Sequence, residues 1–346
     1  MISLLEEFIN DLRSLYKLIS FNKLEINLLD VDLKFILVQH NSLILLRDHL
    51  EFILTQKRVY DYNTIIVSLY GFFEQFIENI LISFTKSVSQ IFVEPKHIPE
   101  IIQTNHYKLS IELLLKIEEK RKSKNLPKAE ILKNIYNISS NNNSYKLNGE
   151  AFAQHTANFG NENINDMFMK LGIDTISKSI CEHSPMREYL RTIREEAEIN
   201  VIKPSTLLTI VDDLADKRND VAHGVRGEIL QSEILEDYLK FFMAYAPSLV
   251  GVLNNVLYRM ITKNQSAFLG KPSEVLKAGT VVIFNNQNKH IKRGDYFLFE
   301  NANEILLSKV NALMFDNFNI TAIKASADCE ISILVTVKVK RVITFI

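Results

Sequence analysis

The feature that most constrains the fold is a long apolar helical face between residues 61 and 90. Apolar side chains recur there at steps of three and four residues, which is the spacing of one helix face. They are Ile65, Ile66, Leu69, Phe72, Phe73, Phe76, Ile77, Ile80, Leu81 and Phe84. A face this broad is typical of a central helix in a bundle, because a surface helix needs only a narrow apolar stripe.

The same periodicity predicts several further helices, and 10 glycines and 7 prolines in 346 residues leave few breaks between them. The predicted segments are 2–20, 33–57, 107–124, 127–136, 163–173, 204–223 and 228–263. Pro247 is expected to kink or split the last of these. Residues 22–32 fit a short strand or a helix, and the polar run 139–150 indicates a loop.

From about residue 270 the pattern changes to short β-branched and aromatic runs separated by Gly, Asn and Asp. About five strands in under 80 residues predict a small antiparallel barrel or sandwich. The fold class is therefore mainly α, a multi-helix bundle followed by this small β domain. We expect a helical domain at 1–265, with an N-terminal helical extension at 1–57, and a β domain at 270–346.

Composition limits the partners and the chemistry. The net charge is −1, so any binding of nucleic acid must depend on local patches. The acidic, amphipathic N-terminus and the charged residues that interrupt the apolar runs predict a cytoplasmic protein that does not enter a membrane. Phosphate-loop, dinucleotide-binding and HExxH motifs are absent from the sequence, which predicts no cofactor and no metal.

The segment from Lys217 to Gly224 concentrates the reactive side chains. Arg218 lies on an apolar stripe of the predicted helix 204–223, so we expect it to be buried. A buried guanidinium keeps its charge and should pair with a carboxylate or a phosphate. His223 follows five residues later, roughly 140° round an ideal helix. The two side chains can meet if the helix loosens before Gly224, or if two copies face each other across a dimer axis.

Arg218-Asn219-Asp220-Val221-Ala222-His223 resembles the R-N-x-x-A-H form of the signature of HEPN-domain ribonucleases. Residues 67–77, residues 156–166 and Leu171-Gly172-Ile173 resemble the RiboL-PSP-like branch, and the likeness spans about residues 60–260. The resemblance implies an endoribonuclease that works without metal, through a composite site at a homodimer interface. It also implies a toxin or antiphage defence effector, with an antitoxin or a second HEPN chain as a further partner. A non-catalytic HEPN module that dimerises or binds RNA or nucleotide stays open.

On this hypothesis the site contains three catalytic residues. Arg218 stabilises charge on the phosphate, and His223 transfers protons. Asn219 lies on the same helix face as His223 and can hold the imidazole or a phosphate oxygen. Asp220 is a supporting candidate. Glu74 lies at the edge of the apolar face, where it is either a solvated residue or a residue that orients or neutralises Arg218.

The sequence allows two interpretations for each of two further groups of residues. Arg187, Arg191 and Arg194 share one helix face, where they either form ion pairs with interleaved glutamates or steer RNA phosphates. His155 and Asn158 either line the site or hold a turn.

Overall fold

The computed structural model describes most of the chain, in twelve segments. These are residues 1–37, 44–117, 126–155, 158–225, 229–264, 268–270, 272–286, 290–300, 305–315, 318–324, 329–335 and 342–345. The chain divides into two compact units. The helical unit comprises Met1–Ser89 and Glu94–Val252, and the β unit comprises Gln90–Val93 and Leu253–Ile346. The domain boundaries that we expected from the sequence, 1–265 and 270–346, stay predictions.

Helices dominate the structure, which confirms the predicted fold class. The helices are α1 Ile2–Leu37, α2 Ile44–Ile91, α3 Glu100–Lys116, α4 Lys128–Ser139, α5 Gly149–Phe152, α6 Asn161–Met169, α7 Ile176–Glu182, α8 Ser184–Ile193, α9 Glu196–Val201, α10 Pro204–Leu207, α11 Thr209–Ala222 and α12 Ser232–Asn264.

Several predicted boundaries differ from these. The ambiguous run 22–32 is helical and continues α1, and the predicted helix 33–57 straddles α1 and α2. The end of the predicted helix 107–124 lies outside the described residues. The predicted helix 204–223 is in fact two helices, because the backbone leaves helical geometry at Leu208 with φ −104° and ψ 17°.

The core of the helical unit forms where α1, α2 and α12 meet. Phe73 of α2 is fully buried and lies 4.7 Å from Phe242 of α12, between ring centroids. Phe8 of α1 stacks on Phe76 at 4.5 Å. The apolar face of α2 therefore packs against partners on two other helices, as a central bundle helix should.

Two helical stretches, Phe52–Ile91 and Ser232–Lys263, are long and apolar enough to cross a membrane. Half of the most apolar stretch of the first and 61% of that of the second are buried inside the protein. A core helix of a bundle meets the same criteria, so the finding is weak support for a membrane span. The expected absence of a membrane partner stays a prediction.

The C-terminal strands pair antiparallel, as predicted. They are β1 Phe268–Gly270, β2 Glu274–Leu276, β3 Val281–Asn286, β4 His290–Lys292, β5 Tyr296–Glu300, β6 Ile305–Lys309, β7 Ala312–Phe315, β8 Phe318–Ile320, β9 Ala322–Lys324, β10 Cys329–Leu334 and β11 Val342–Phe345. The sheet orders are β1-β11-β5-β6, β2-β3-β10-β7-β8 and β4-β9. The described strands outnumber the five or so expected, because several have only three residues and give no alternation to read.

The polar run 139–150 is anchored at its C-terminal end. Asn148 is buried, and its Nδ2 donates to Ser110 Oγ at 3.0 Å and to the Ile131 carbonyl at 3.2 Å. Asn134 donates to its Oδ1 at 2.8 Å. Gly149 comes next in the chain and lies against α2. A Cβ added to Gly149 would lie 2.6 Å from Thr85 Oγ1. Asn148, one of the asparagines that suggested a loop, thus has its side chain hydrogen-bonded inside the protein.

We predict that Gly149→Ala lowers the free energy of unfolding by about 1–3 kcal/mol, because the added methyl group overlaps Thr85. Gly71→Ala is the matched control. Gly71 is exposed in α2 and a Cβ there meets nothing within 4 Å. That change should stabilise the helix by about 0.5–1 kcal/mol. Urea denaturation of both variants measures the effects, and equal changes would contradict the close approach.

We also predict a pH dependence of stability from His106. Burial lowers the pKa of His106 to about 4, and neither ring nitrogen has a partner among the described residues. The unfolded chain takes up this proton near pH 6.5, so stability falls as the pH drops from about 6.5 to 4, by about 3 kcal/mol. His106→Leu should remove this part of the loss. Parallel stability curves for wild type and variant would contradict it.

Candidate functional site

Helix α11 ends at Ala222, two residues before Gly224. Gly224 has φ +64°, and its N–H donates to the Val221 carbonyl at 3.2 Å. The Val225 N–H reaches back to the Asp220 carbonyl at 2.9 Å. These two bonds form a Schellman motif, for which glycine is the preferred residue because it has no Cβ. His223 is the C-cap, and its side chain is exposed at the helix end.

Arg218 lies half-buried on α11 and contacts α2. Its guanidinium carbon is 5.1 Å from the centroid of the Tyr70 ring, a cation–π geometry. Its Nη1 donates to Asn219 Oδ1 at 3.3 Å. Both of these partners are neutral, so neither contact cancels the positive charge. The sequence suggested a carboxylate or a phosphate here, and the observed contacts position the guanidinium without supplying an anion.

Asn158 connects this arginine to the loop before α6. Its Nδ2 donates to Asn219 Oδ1 at 2.9 Å, the oxygen that also accepts from Arg218. Tyr70 Oη accepts the Phe159 N–H at 3.0 Å and donates to Asn158 Oδ1 at 3.5 Å. The Asn219 side chain is thereby oriented toward Arg218. Tyr70, Asn158, Asn219 and Arg218 form what we call the arginine network.

A second connection fixes α11 against α6. Asp212 Oδ1 accepts the Asn161 N–H at 2.7 Å, and its Oδ2 accepts from Asn161 Nδ2 at 2.7 Å. Asn161 Nδ2 also donates to the Leu208 carbonyl at 2.8 Å, at the break between α10 and α11. A Cβ on Gly160 would lie 2.7 Å from Asp212 Oδ1. Asp212 thus fixes the start of α11.

Glu74 lies one helical turn beyond Tyr70 on α2, next to a second carboxylate. His155 Nε2 is 3.5 Å from Glu74 Oε1 and 3.0 Å from Glu78 Oε1, and the three side chains are about one-fifth exposed. The pKa of Tyr70 is raised, mainly because its phenol group is buried. Among the smaller effects, the Phe159 N–H and Arg218 lower this pKa, and Glu74 raises it. Glu74 and Arg218 therefore both act on Tyr70. A direct neutralising role of Glu74 stays a prediction.

The three predicted RNA-steering arginines lie beside glutamates. Arg187 forms an ion pair with Glu196 and a short contact with Asn200. Arg191 Nε is 2.6 Å from Glu196 Oε2. Hydrogen bonds from these two arginines lower the pKa of Glu196 to about 2, and the bond from Arg191 has the larger effect.

Arg194 Nη1 is 4.0 Å from Glu198 Oε2. All three arginines thus have the acidic partners expected of an ion-paired helix, the first of the two interpretations kept open by the sequence. Asp220 is half-buried, and its carbonyl accepts in the cap of α11. The catalytic and RNA-binding roles of the predicted residues stay predictions.

Comparison with protein-family models matches RiboL-PSP-HEPN over residues 41–255, which is more than half of the chain. The chain belongs to the RiboL-PSP-HEPN family. The match includes α11 and the whole arginine network, so the helical unit is an RNA-related module of nuclease-like type. Comparison with curated proteins found no match.

Sequence reasoning missed two residues that the structure places beside the predicted ones, Tyr70 next to Arg218 and Glu78 next to His155. The signal was present, because Tyr70, Glu74 and Glu78 recur every four residues along the mostly apolar helix α2. Such spacing places them in one row on the helix surface. Their partners Asn158 and His155 lie about 80 residues later in the chain, where no local pattern indicates contact.

We predict that Tyr70→Phe lowers the free energy of unfolding by about 1–3 kcal/mol. The change keeps the ring under Arg218 but leaves the buried Phe159 N–H without its acceptor. Tyr136→Phe is the control, since Tyr136 is 68% exposed on α4. Chemical denaturation of both variants checks the prediction. An unchanged stability of Tyr70→Phe would contradict the bond.

Proposed function

We propose that this protein is an endoribonuclease that cleaves RNA by attack of a ribose 2′-OH on the adjacent phosphate, without a metal ion. One observation carries the proposal. Arg218 is positioned by two neutral partners, and an exposed histidine caps the same helix. An arginine whose observed contacts leave its charge intact is suited to receive a phosphate.

The chemistry needs three functions. A base removes the proton of the 2′-OH, the oxygen forms a bond to phosphorus, and the bond to the 5′-oxygen breaks as an acid protonates that oxygen. A cation stabilises the added negative charge on the phosphorus centre. His223 supplies an imidazole for proton transfer, and Arg218 supplies the planar cation. Asn219 holds Arg218 through its Oδ1.

His223 supplies one imidazole per subunit to the proposed site, whereas the reaction has two proton transfers. Arg218 and His223 are also about 140° apart round a helix, so they project in different directions. We therefore propose a composite site in a homodimer, with one histidine for each transfer. Exposed apolar side chains support self-association near the site: Val225 follows the cap and Val67 lies one turn before Tyr70 on α2.

A ribonuclease that needs neither cofactor nor metal is active once its dimer forms, so the cell must restrain it. We propose accordingly a cytoplasmic toxin or antiphage defence effector. Either an antitoxin or a second HEPN chain would be the restraining partner. The family membership supports this assignment at the level of an RNA-related module.

We predict that His223→Ala and Arg218→Ala each reduce RNA cleavage in EDTA by about 10³-fold or more, since each removes a group that acts in the transition state. Arg218→Lys should recover only part of the activity, because an ammonium group lacks the planar fork of donors. Gel assays on purified protein measure the rates. His97→Ala and Arg13→Ala, exposed residues on other elements, are the controls.

Circular dichroism and light scattering show whether each variant keeps its fold and its dimer. RNA substituted with 2′-deoxynucleotides should stay intact, because the attacking hydroxyl is gone. If wild-type protein leaves all RNAs intact with and without magnesium, yet dimerises or binds RNA or nucleotide, the proposal is wrong and the protein is a non-catalytic HEPN module.

A further inference from the structure

Three side chains with metal-binding atoms converge beside the arginine network. Glu74 and Glu78 lie one turn apart on α2, and His155 follows α5. One ligand atom from each lies within 4.8 Å of the others, with His155 Nε2 at 3.0 Å and 3.5 Å from the two carboxylate oxygens. We call this group the Glu-Glu-His cluster.

The distances match those between ligands that share one ion. Nitrogen and oxygen ligands lie about 2.0–2.2 Å from Zn²⁺, so neighbouring ligand atoms in a tetrahedral site are about 3.4 Å apart. In an octahedral site the spacing between adjacent ligands is about 3.0 Å. The 3.0 Å distance from His155 Nε2 to Glu78 equals the octahedral spacing, and the 3.5 Å distance to Glu74 is close to the tetrahedral one. All three atoms lie within 4.8 Å of one another, so a single ion among them would draw the side chains together.

Electrostatics also favours a cation of more than one charge here. Like charges four residues apart on a helix destabilise it, and partial burial strengthens their repulsion. Glu74 and Glu78 are about four-fifths buried as side chains. A divalent ion placed there would attract both carboxylates and accept the imidazole nitrogen as a third ligand.

We propose that the Glu-Glu-His cluster binds one divalent transition-metal ion, with Zn²⁺ favoured over Mg²⁺ and Ca²⁺. An imidazole combined with carboxylates suits Zn²⁺ or Mn²⁺, whereas Mg²⁺ and Ca²⁺ prefer oxygen ligands only. His155 is held for this role by Phe159, whose ring centroid is 4.2 Å away.

The ion would connect α2 to the residues that hold Arg218. Asn158 and Phe159 follow His155 by three and four residues, and both contact Tyr70. Binding at His155 would thus restrain Asn158, a member of the arginine network, and Phe159. The role of the ion would be structural. The proposed cleavage of RNA needs no metal at the phosphate.

The test is calorimetric titration of full-length protein, freed of metal by EDTA and dialysis, with ZnCl₂ and separately with MnCl₂. We expect one ion per chain and a higher melting temperature in its presence. Glu78→Gln and His155→Ala should each weaken binding about tenfold or more. Glu130→Gln and His97→Ala, on exposed surface elsewhere, should bind as the wild type does.

X-ray absorption at the zinc edge of the wild-type complex gives a check that needs no variant. A shell of nitrogen and oxygen with one imidazole supports the cluster. Sulfur ligands, several imidazoles, or no saturable binding of either ion would overturn the proposal, and so would binding unchanged in both cluster variants. These readouts are independent of RNA cleavage, so failure here leaves the proposed function standing, and the converse also holds.

Discussion

The site depends on a positive charge that cannot be removed. A guanidinium stays protonated at any pH a protein survives, so a half-buried arginine must be stabilised by its surroundings. Arg218 is stabilised by the face of Tyr70 and by the amide oxygen of Asn219. These contacts fix its position and keep its charge, which is the state that a phosphate-binding group requires.

The scaffold holds this arrangement from three directions. Tyr70 is buried on α2, whose apolar face packs against α1 and α12, so the ring beneath Arg218 is held by the core. Asp212 fixes the start of α11 to Asn161, and the Schellman motif at Gly224 fixes its end. The histidine at that end is exposed, whereas the arginine one and a half turns earlier is not. Their positions on the helix thus place the imidazole in solvent at the C-cap and the guanidinium against the core.

The sequence was informative where structure is local. The apolar periodicity of α2, the glycine that ends α11 and the β-rich C-terminal region all follow from short-range patterns, and the structure confirms them. The break at Leu208 does not, because a tertiary bond from Asn161 to the Leu208 carbonyl accompanies it. The partners of Tyr70 and Glu78 were missed for the same reason, since they are distant in the chain. The interleaved arginines and glutamates of α8 and α9 allowed two interpretations, and only coordinates show which charges meet.

The chemistry of the RNA ends left by wild-type protein in EDTA, read by mass spectrometry, distinguishes attack by the ribose from attack by water. Attack by the ribose hydroxyl breaks the bond to the 5′-oxygen, so we predict 2′,3′-cyclic phosphate on one fragment and a 5′-hydroxyl on the other. Ends carrying a 3′-hydroxyl and a 5′-phosphate would show that water, not the ribose, attacked the phosphate. That result would contradict the roles assigned to Arg218 and His223.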